Sequence, residues 1–297
     1  MNENKSNYPL FSVLLSLYKK EMPEYLKEAL DSIFSQTVRS DDVVLVEDGR
    51  LTKELEDLIC HYEKLHPELH VVRFENNRGL GMALNEGLKY CQHDIIARAD
   101  TDDINHPDRF ERELKVFVDH PEYDLVSSWI DEFIDSPQNI HSQRRLPEMP
   151  KEIYQYGKHR CPVNHPVAMY RRNAVERVGG YQTDLFPEDY YLWMKMLKAG
   201  SKFYNIQDSL LSFRYNPQTI KKRGGWGYAV DEAKTQWKAC HQLHYLSIAD
   251  FFFNVSIRFT TRIIPNKLRQ FIYESTLKSP LSGFKPDNIR LAHNPSC

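Results

Sequence analysis

Through the first 120 residues, apolar runs of strand length alternate with segments whose apolar residues recur at helical spacing. The runs are "FSVLLSLY", "DVVLVEDG", "LHVVRFE" and "HDIIARAD". Between and after them stand "PEYLKEALDSIFSQT", "TKELEDLICHYEKL", "GLGMALNEGLKYC" and "PDRFERELKVFVDH". Pro23 and Pro107 suit first helical positions, and Thr52 suits an N-cap. Near-continuous apolar strands separated by helices predict an α/β fold with a mostly parallel, doubly wound sheet and helices on both faces. Ligands bind such sheets beyond the carboxyl ends of the strands. "VEDG", "ENNRG" and "ADTDD" all fall there and are expected to share one crevice.

Beyond residue 120 the alternation loosens. "YDLVSSWIDEFI" reads as a strand pair, "PQNIHSQRRLPEMPKE" as a polar loop, and "NHPVAMYRR" as a strand running into a helix. "PEDYYLWMKMLKAG" predicts an amphipathic helix ended by Gly200, and "KFYNIQDSLLSFRYN" one or two strands. From Gly225 onward the pattern is helical. The expected division is a catalytic domain over 1–225 and a helical C-terminal extension over 226–297.

Composition narrows the classes. A net charge of −2 gives no reason to expect nucleic acid. Five dispersed cysteines without a CxxC pair fit neither a disulfide framework nor a zinc site, and they point to a reducing compartment. No signal-peptide pattern is found, and no segment reaches the roughly 20 apolar residues that span a bilayer. The expected location is the cytoplasm.

The chemistry concentrates in "DTDD", three carboxylates within four residues directly after an apolar strand. A solvated acidic loop accounts for such a run as readily as a cation site does, until its position at a strand end beside other carboxylates is considered. Asp100 and Asp102 lie two residues apart, so in an extended chain they face the same way.

At this point the chain resembles the inverting family 2 glycosyltransferases with a GT-A fold, especially bacterial enzymes of capsule, exopolysaccharide (amylovoran-type) and O-antigen synthesis. The resemblance runs over roughly residues 9–225. It rests on "FSVLLSLYKKE", "VLVEDG", "NNRGLGMALNEGL", "ARADTDDINHPDRF", "CPVNHPVAMYRRNAVERVGGY" and "PEDYYLWMKMLKAG", in the family's order. It implies that Ser16, Tyr18 and Asp48 meet the nucleotide base, and that the segment carrying Arg78 and Asn85 passes the ribose and phosphates, with these two side chains as candidate donor contacts. It further implies that Asp102 and Asp100 hold Mn²⁺ or Mg²⁺ with the donor diphosphate, with Asp103 supporting the loop. Asp189 matches the catalytic base, and His165 and Glu188 fall near acceptor or diphosphate. Arg214 and Arg223 are candidates to close over the diphosphate, with Arg144 and Arg145 as further basic contacts. The sequence departs from the family at Glu47, Arg50 and Asn216.

The implied activity is metal-dependent, inverting transfer of a sugar from a UDP-sugar to an oligosaccharide carried on a lipid diphosphate. A sugar-nucleotide nucleotidyltransferase and a non-catalytic nucleotide-sugar-binding protein are the alternatives. The first would typically want a glycine-rich loop after the first strand, and "LYKKEMPEYL" has no glycine. In the extension, "ADFFFNVSIRFTTRIIPNKLRQFIYESTLK" combines aromatic residues with Arg258, Arg262, Lys267, Arg269 and Lys278. That composition suits a helix on the inner face of an anionic membrane, or one packed on the domain or a second subunit. Homo-oligomerisation is left open.

Overall fold

A computed structural model describes residues 8–185, 187–215 and 226–263. The chain divides into a unit from Met1 to Ile263 and a second from Ile264 to Cys297. The second unit lies outside the described residues, and so do Asn216 and Arg223.

The first half forms as its pattern predicts. Strands β1 (Phe11–Leu17), β2 (Asp42–Glu47), β3 (Leu69–Arg73) and β4 (Ile95–Arg98) alternate with helices α1 (Pro23–Phe34), α2 (Lys53–Leu65) and α3 (Leu80–Tyr90). β1 lies between β2 and β4, parallel to both, and β3 pairs in parallel with the far side of β2. Alternate residues of β1 build the two cores. Val13 and Leu15 join Leu26, Leu30, Leu55 and Ile59 from α1 and α2. Leu14 faces the other way, with Leu84 and Leu88 of α3. That second interface is tight: a Cβ on Gly87 would stand 2.5 Å from Leu14 Cδ1 and 2.7 Å from Val46 Cγ2.

The second half comprises β5 (Ile104–Asn105), α4 (Arg109–Asp119), β6 (Leu125–Phe133), β7 (Ile140–Arg144), α5 (Pro150–Tyr156), a 3₁₀ turn (His165–Val167), β8 (Met169–Arg171), α6 (Arg172–Glu176), α7 (Glu188–Lys198) and β9 (Phe203–Arg214). All nine strands join one sheet, ordered β3-β2-β1-β4-β8-β6-β9-β5, with β7 beside β6. Three expectations are corrected here. "YDLVSSWIDEFI" holds one continuous strand, and the presumed proline-rich loop contains β7. The sheet is mixed rather than mostly parallel, because β8 runs antiparallel to both β4 and β6. "KFYNIQDSLLSFR" resolves as one 12-residue strand, and Gly200 follows α7 in the left-handed region at φ +91°.

Two helices complete the described chain, α8 (Trp226–His241) and α9 (Ile248–Ile263). Ala239 and Cys240 of α8 enter the core that contains Trp193 of α7. Among the described residues no helix is long and apolar enough to cross a membrane.

Candidate active site

The carboxyl ends of β1 and β2 open on a cleft of about 630 Å³, lined by Tyr18, Lys19, Lys20, Asp48, Gly49 and Asn77 among others. Its shape depends on Gly49. That residue takes φ +89°, and a Cβ there would stand 2.6 Å from the Asn77 amide nitrogen. Tyr18 is partly exposed at the mouth, and Ser16 is half-buried one residue before the end of β1. Glu47, at the position where the family carries its first Asp, is buried and paired with Arg73 Nε at 3.2 Å.

Asp48 is buried, and its carboxylate holds the following loop. It accepts from Arg78 N at 2.6 Å, Gly79 N at 2.9 Å and Asn77 Nδ2 at 2.8 Å. A carboxylate accepts about four such bonds, which leaves room for about one more donor. Arg78 is exposed, its guanidinium 5.0 Å from the Phe74 ring centroid. It borders a second cleft of about 310 Å³, which continues past Gly81 and Gln182 to Glu188 and Asp231.

The acidic turn after β4 gathers its carboxylates. Ligand oxygens of Asp100, Asp102 and Asp103 all lie within 4.8 Å of one another. Burial pushes Asp102 up to about 7, reinforced by the charges of Asp100 and Glu21. Asp103, fully buried, is pushed well up by burial and by its two neighbours. Asp103 Oδ1 accepts from Arg214 N at 2.9 Å, while Oδ2 is buried without a partner. Three clustered carboxylates, two of them raised by burial and by their neighbours, with an orphaned oxygen among them, fit a hard divalent cation.

The turn is gripped from three sides. The Arg98 side chain donates to Asp100 Oδ1. Thr101 Oγ1 donates to Glu21 at 3.1 Å. Arg214 Nε donates to the Asp102 carbonyl at 3.0 Å, while Nη2 meets Glu28 and the guanidinium stacks 3.9 Å from the Tyr25 ring centroid. Arg214 therefore holds the turn. Sequence reasoning missed Glu21 and Arg98. Their signals were an acid four residues past the end of the first strand and an arginine inside an otherwise apolar one.

The Asn85 amide donates to Tyr181 O and accepts from Tyr181 N, both at 2.8 Å, so it clamps the loop before α7. Lys195 of α7 fixes the same loop, donating to Val178 O at 2.6 Å and Gly180 O at 2.8 Å. His165 is 8% exposed, its Nε2 2.9 Å from Tyr181 Oη, and burial lowers its pKa to about 4. It is a packed, neutral imidazole. Arg144 pairs with Glu132. Arg145 Nε donates to Gln143 at 2.6 Å, so both lie in local contacts of β6 and β7.

Glu188 and Asp189 open α7, where no side chain caps the helix and free backbone N–H groups favour negative charge. Burial, then the charge of Asp189, pushes Glu188 up to about 7. The Cys161 thiol donates to Asp189 Oδ2 across 3.9 Å. Both Asp189 and Asp100 act electrostatically on His165, which joins the two acidic groups in one region.

A mixed sheet with a cleft at its parallel strand ends, an acidic turn after β4 and acids opening a facing helix is the arrangement of the GT-A glycosyltransferases. The mannosyltransferase PcManGT from Pyrobaculum calidifontis, in complex with GDP-Man and Mn²⁺, superposes at TM-score 0.61 with 17% identity, covering 91% of this chain and 80% of that one. Staphylococcus aureus TarS 1–349 in complex with UDP-GlcNAc superposes at 0.63 with 16% identity, covering 91% and 76%. At such identity these likenesses establish the fold. The family follows from sequence: the profile of glycosyl transferase family 2 matches residues 12–179, and this chain belongs to that family. An Escherichia coli UDP-Gal:α-D-GlcNAc-diphosphoundecaprenol β-1,3-galactosyltransferase is 38% identical over 270 residues, 91% of this chain and 97% of the relative. The amylovoran biosynthesis glycosyltransferase AmsE of Erwinia amylovora is 37% identical over 274 residues, 91% of this chain and 100% of that protein. The protein is thus a glycosyltransferase, which decides against the nucleotidyltransferase and the non-catalytic binding protein.

Proposed function

We propose that this glycosyltransferase moves one sugar from a UDP-sugar to a hydroxyl of an oligosaccharide or sugar carried on a lipid diphosphate, with inversion, in surface-polysaccharide synthesis. The donor and acceptor classes follow those in the name of the E. coli relative. A β-link made from an α-configured nucleotide sugar is an inversion, and inversion needs one displacement and one base. The observation that carries the reading is the three-carboxylate turn at the end of β4, in the same electrostatic region as the acids of α7.

In this reading the first cleft takes the uridine, with Tyr18 beside the base and Ser16 and Asp48 at its inner wall. Asp102 and Asp100 hold Mn²⁺ or Mg²⁺ together with the diphosphate. The cation supplies electrostatic stabilisation of the charge that develops on the departing diphosphate. Asp189 takes the proton of the acceptor hydroxyl as that oxygen attacks the anomeric carbon from the face opposite UDP. Glu188 and Arg78 border the second cleft, which suits the acceptor.

Residues 1–225 form the catalytic part in this proposal, and 226–297 bring it to the inner membrane face where its acceptor is anchored. The test of the chemistry is Asp189→Asn. Its kcat should fall by about 10²–10⁴-fold, the usual contribution of general-base catalysis, with UDP affinity unchanged. Transfer at the wild-type rate would remove Asp189 from the mechanism.

A further inference from the structure

Arg98 ends β4, two residues before Asp100, and its side chain is completely buried. A guanidinium inside a sheet core is costly unless paired, and an apolar residue of similar volume often serves stability as well or better. Its side-chain partner is Asp100, which remains 28% exposed. Two of the guanidinium nitrogens, Nε and Nη1, have no hydrogen-bond partner at all. The backbone of Arg98 is fixed as well, because its carbonyl accepts from Nη2 of Arg109 at 2.7 Å. Arg109 is itself buried against Glu113 and Asn105. A charge so poorly satisfied, so firmly held and aimed at one carboxylate is explained by that carboxylate.

We propose that Arg98 is the positioning residue of the cation site. It fixes the Asp100 carboxylate in the orientation that brings it within 4.8 Å of the oxygens of Asp102 and Asp103. This rests on the reading of Asp100 and Asp102 as cation ligands. Arg98 touches neither cation nor substrate and works through Asp100 alone.

The experiment measures Mn²⁺ affinity in the presence of UDP, by electron paramagnetic resonance of free Mn²⁺, for wild type, Arg98→Met, Arg98→Lys, Asp100→Asn and the double variant R98M/D100N. Arg98→Met should weaken Mn²⁺ binding about 10–100-fold, the usual effect of losing a partner behind a metal ligand. Arg98→Lys, which keeps the charge and loses the planar fork, should recover part of that loss. In the Asp100→Asn background, Arg98→Met should add no more than about twofold, the usual margin of additivity. Wild-type affinity in Arg98→Met, or an undiminished loss in the Asp100→Asn background, would overturn the proposal. Should Arg98→Met fail to fold by thermal melting, Arg98→Lys decides: weaker Mn²⁺ binding with metal-free UDP binding unchanged supports it, and wild-type affinity overturns it. Wild-type protein that binds no Mn²⁺ with UDP would overturn the cation site itself, a result distinct from all of these.

Discussion

The imidazole of His165 packs between Tyr181, whose hydroxyl it meets at 2.9 Å, and Trp193 of α7. Burial, and then the charge of Arg98, lower its pKa to about 4, against the opposing pull of Asp189 and Asp100. The native state therefore holds fewer protons than the unfolded chain between the unperturbed histidine value and about 4. Stability from this group is complete above about pH 6.5 and is lost as pH falls toward 4, by roughly 3 kcal/mol in all. Thermal melts from pH 7.5 to 4.5 should show a steeper acid loss in wild type than in His165→Gln. Equal slopes would mean that the imidazole is not buried neutral. At this scale the sequence was legible where residues are few and charged. "DTDD" stood out because no secondary structure needs three adjacent carboxylates, and the structure does gather them. The partners of Asn85, His165 and Arg214 were not legible, since they lie 16 to 186 positions away along the chain.

Among the elements, β1 to β4 were readable because buried parallel strands are near-continuously apolar, with Arg98 the exception in β4, and each helix marks the next crossover. The pairing of β6, β8 and β9 was not, because it joins segments as far apart as Leu125 and Phe203 and mixes both directions. No local pattern encodes such a choice. α9 presents a different problem. Its residues Ile248, Phe252, Phe253 and Ile257 are between 50% and 69% exposed, while Asn254 turns inward to Gln236 and the Lys158 carbonyl. Arg258, expected on a basic membrane-facing stripe, instead pairs with Glu232 at 3.0 Å. The side chains of Arg262, Lys267, Arg269 and Lys278 lie outside the described residues. The aromatic residues are thus the part of the membrane proposal that this helix can carry. Phe252→Ser with Phe253→Ser should reduce flotation with anionic vesicles at unchanged melting temperature. Undiminished flotation would assign the apolar face to another contact, such as a second copy.

Across the molecule, the parallel half supplies a nucleotide-sized cleft and two of the clamps on the acidic turn, and the mixed half supplies the third. Arg214 reaches the turn from the end of β9, Glu21 from the β1–α1 loop, and Arg98 from beneath it in β4. α7 is tied to the parallel half by Asn85 and Lys195 through the loop between α6 and α7. Carboxylates from distant parts of the sequence are in this way held in one region before any ligand arrives, the preorganisation on which electrostatic catalysis depends. The most direct test of the cation–diphosphate site is calorimetric binding of UDP with and without Mn²⁺, to wild type and to Asp102→Asn. UDP should bind wild type more tightly when Mn²⁺ is present, and Asp102→Asn should lose most of that gain. Equal UDP affinity with and without the metal, in both proteins, would contradict a cation held by the β4 turn.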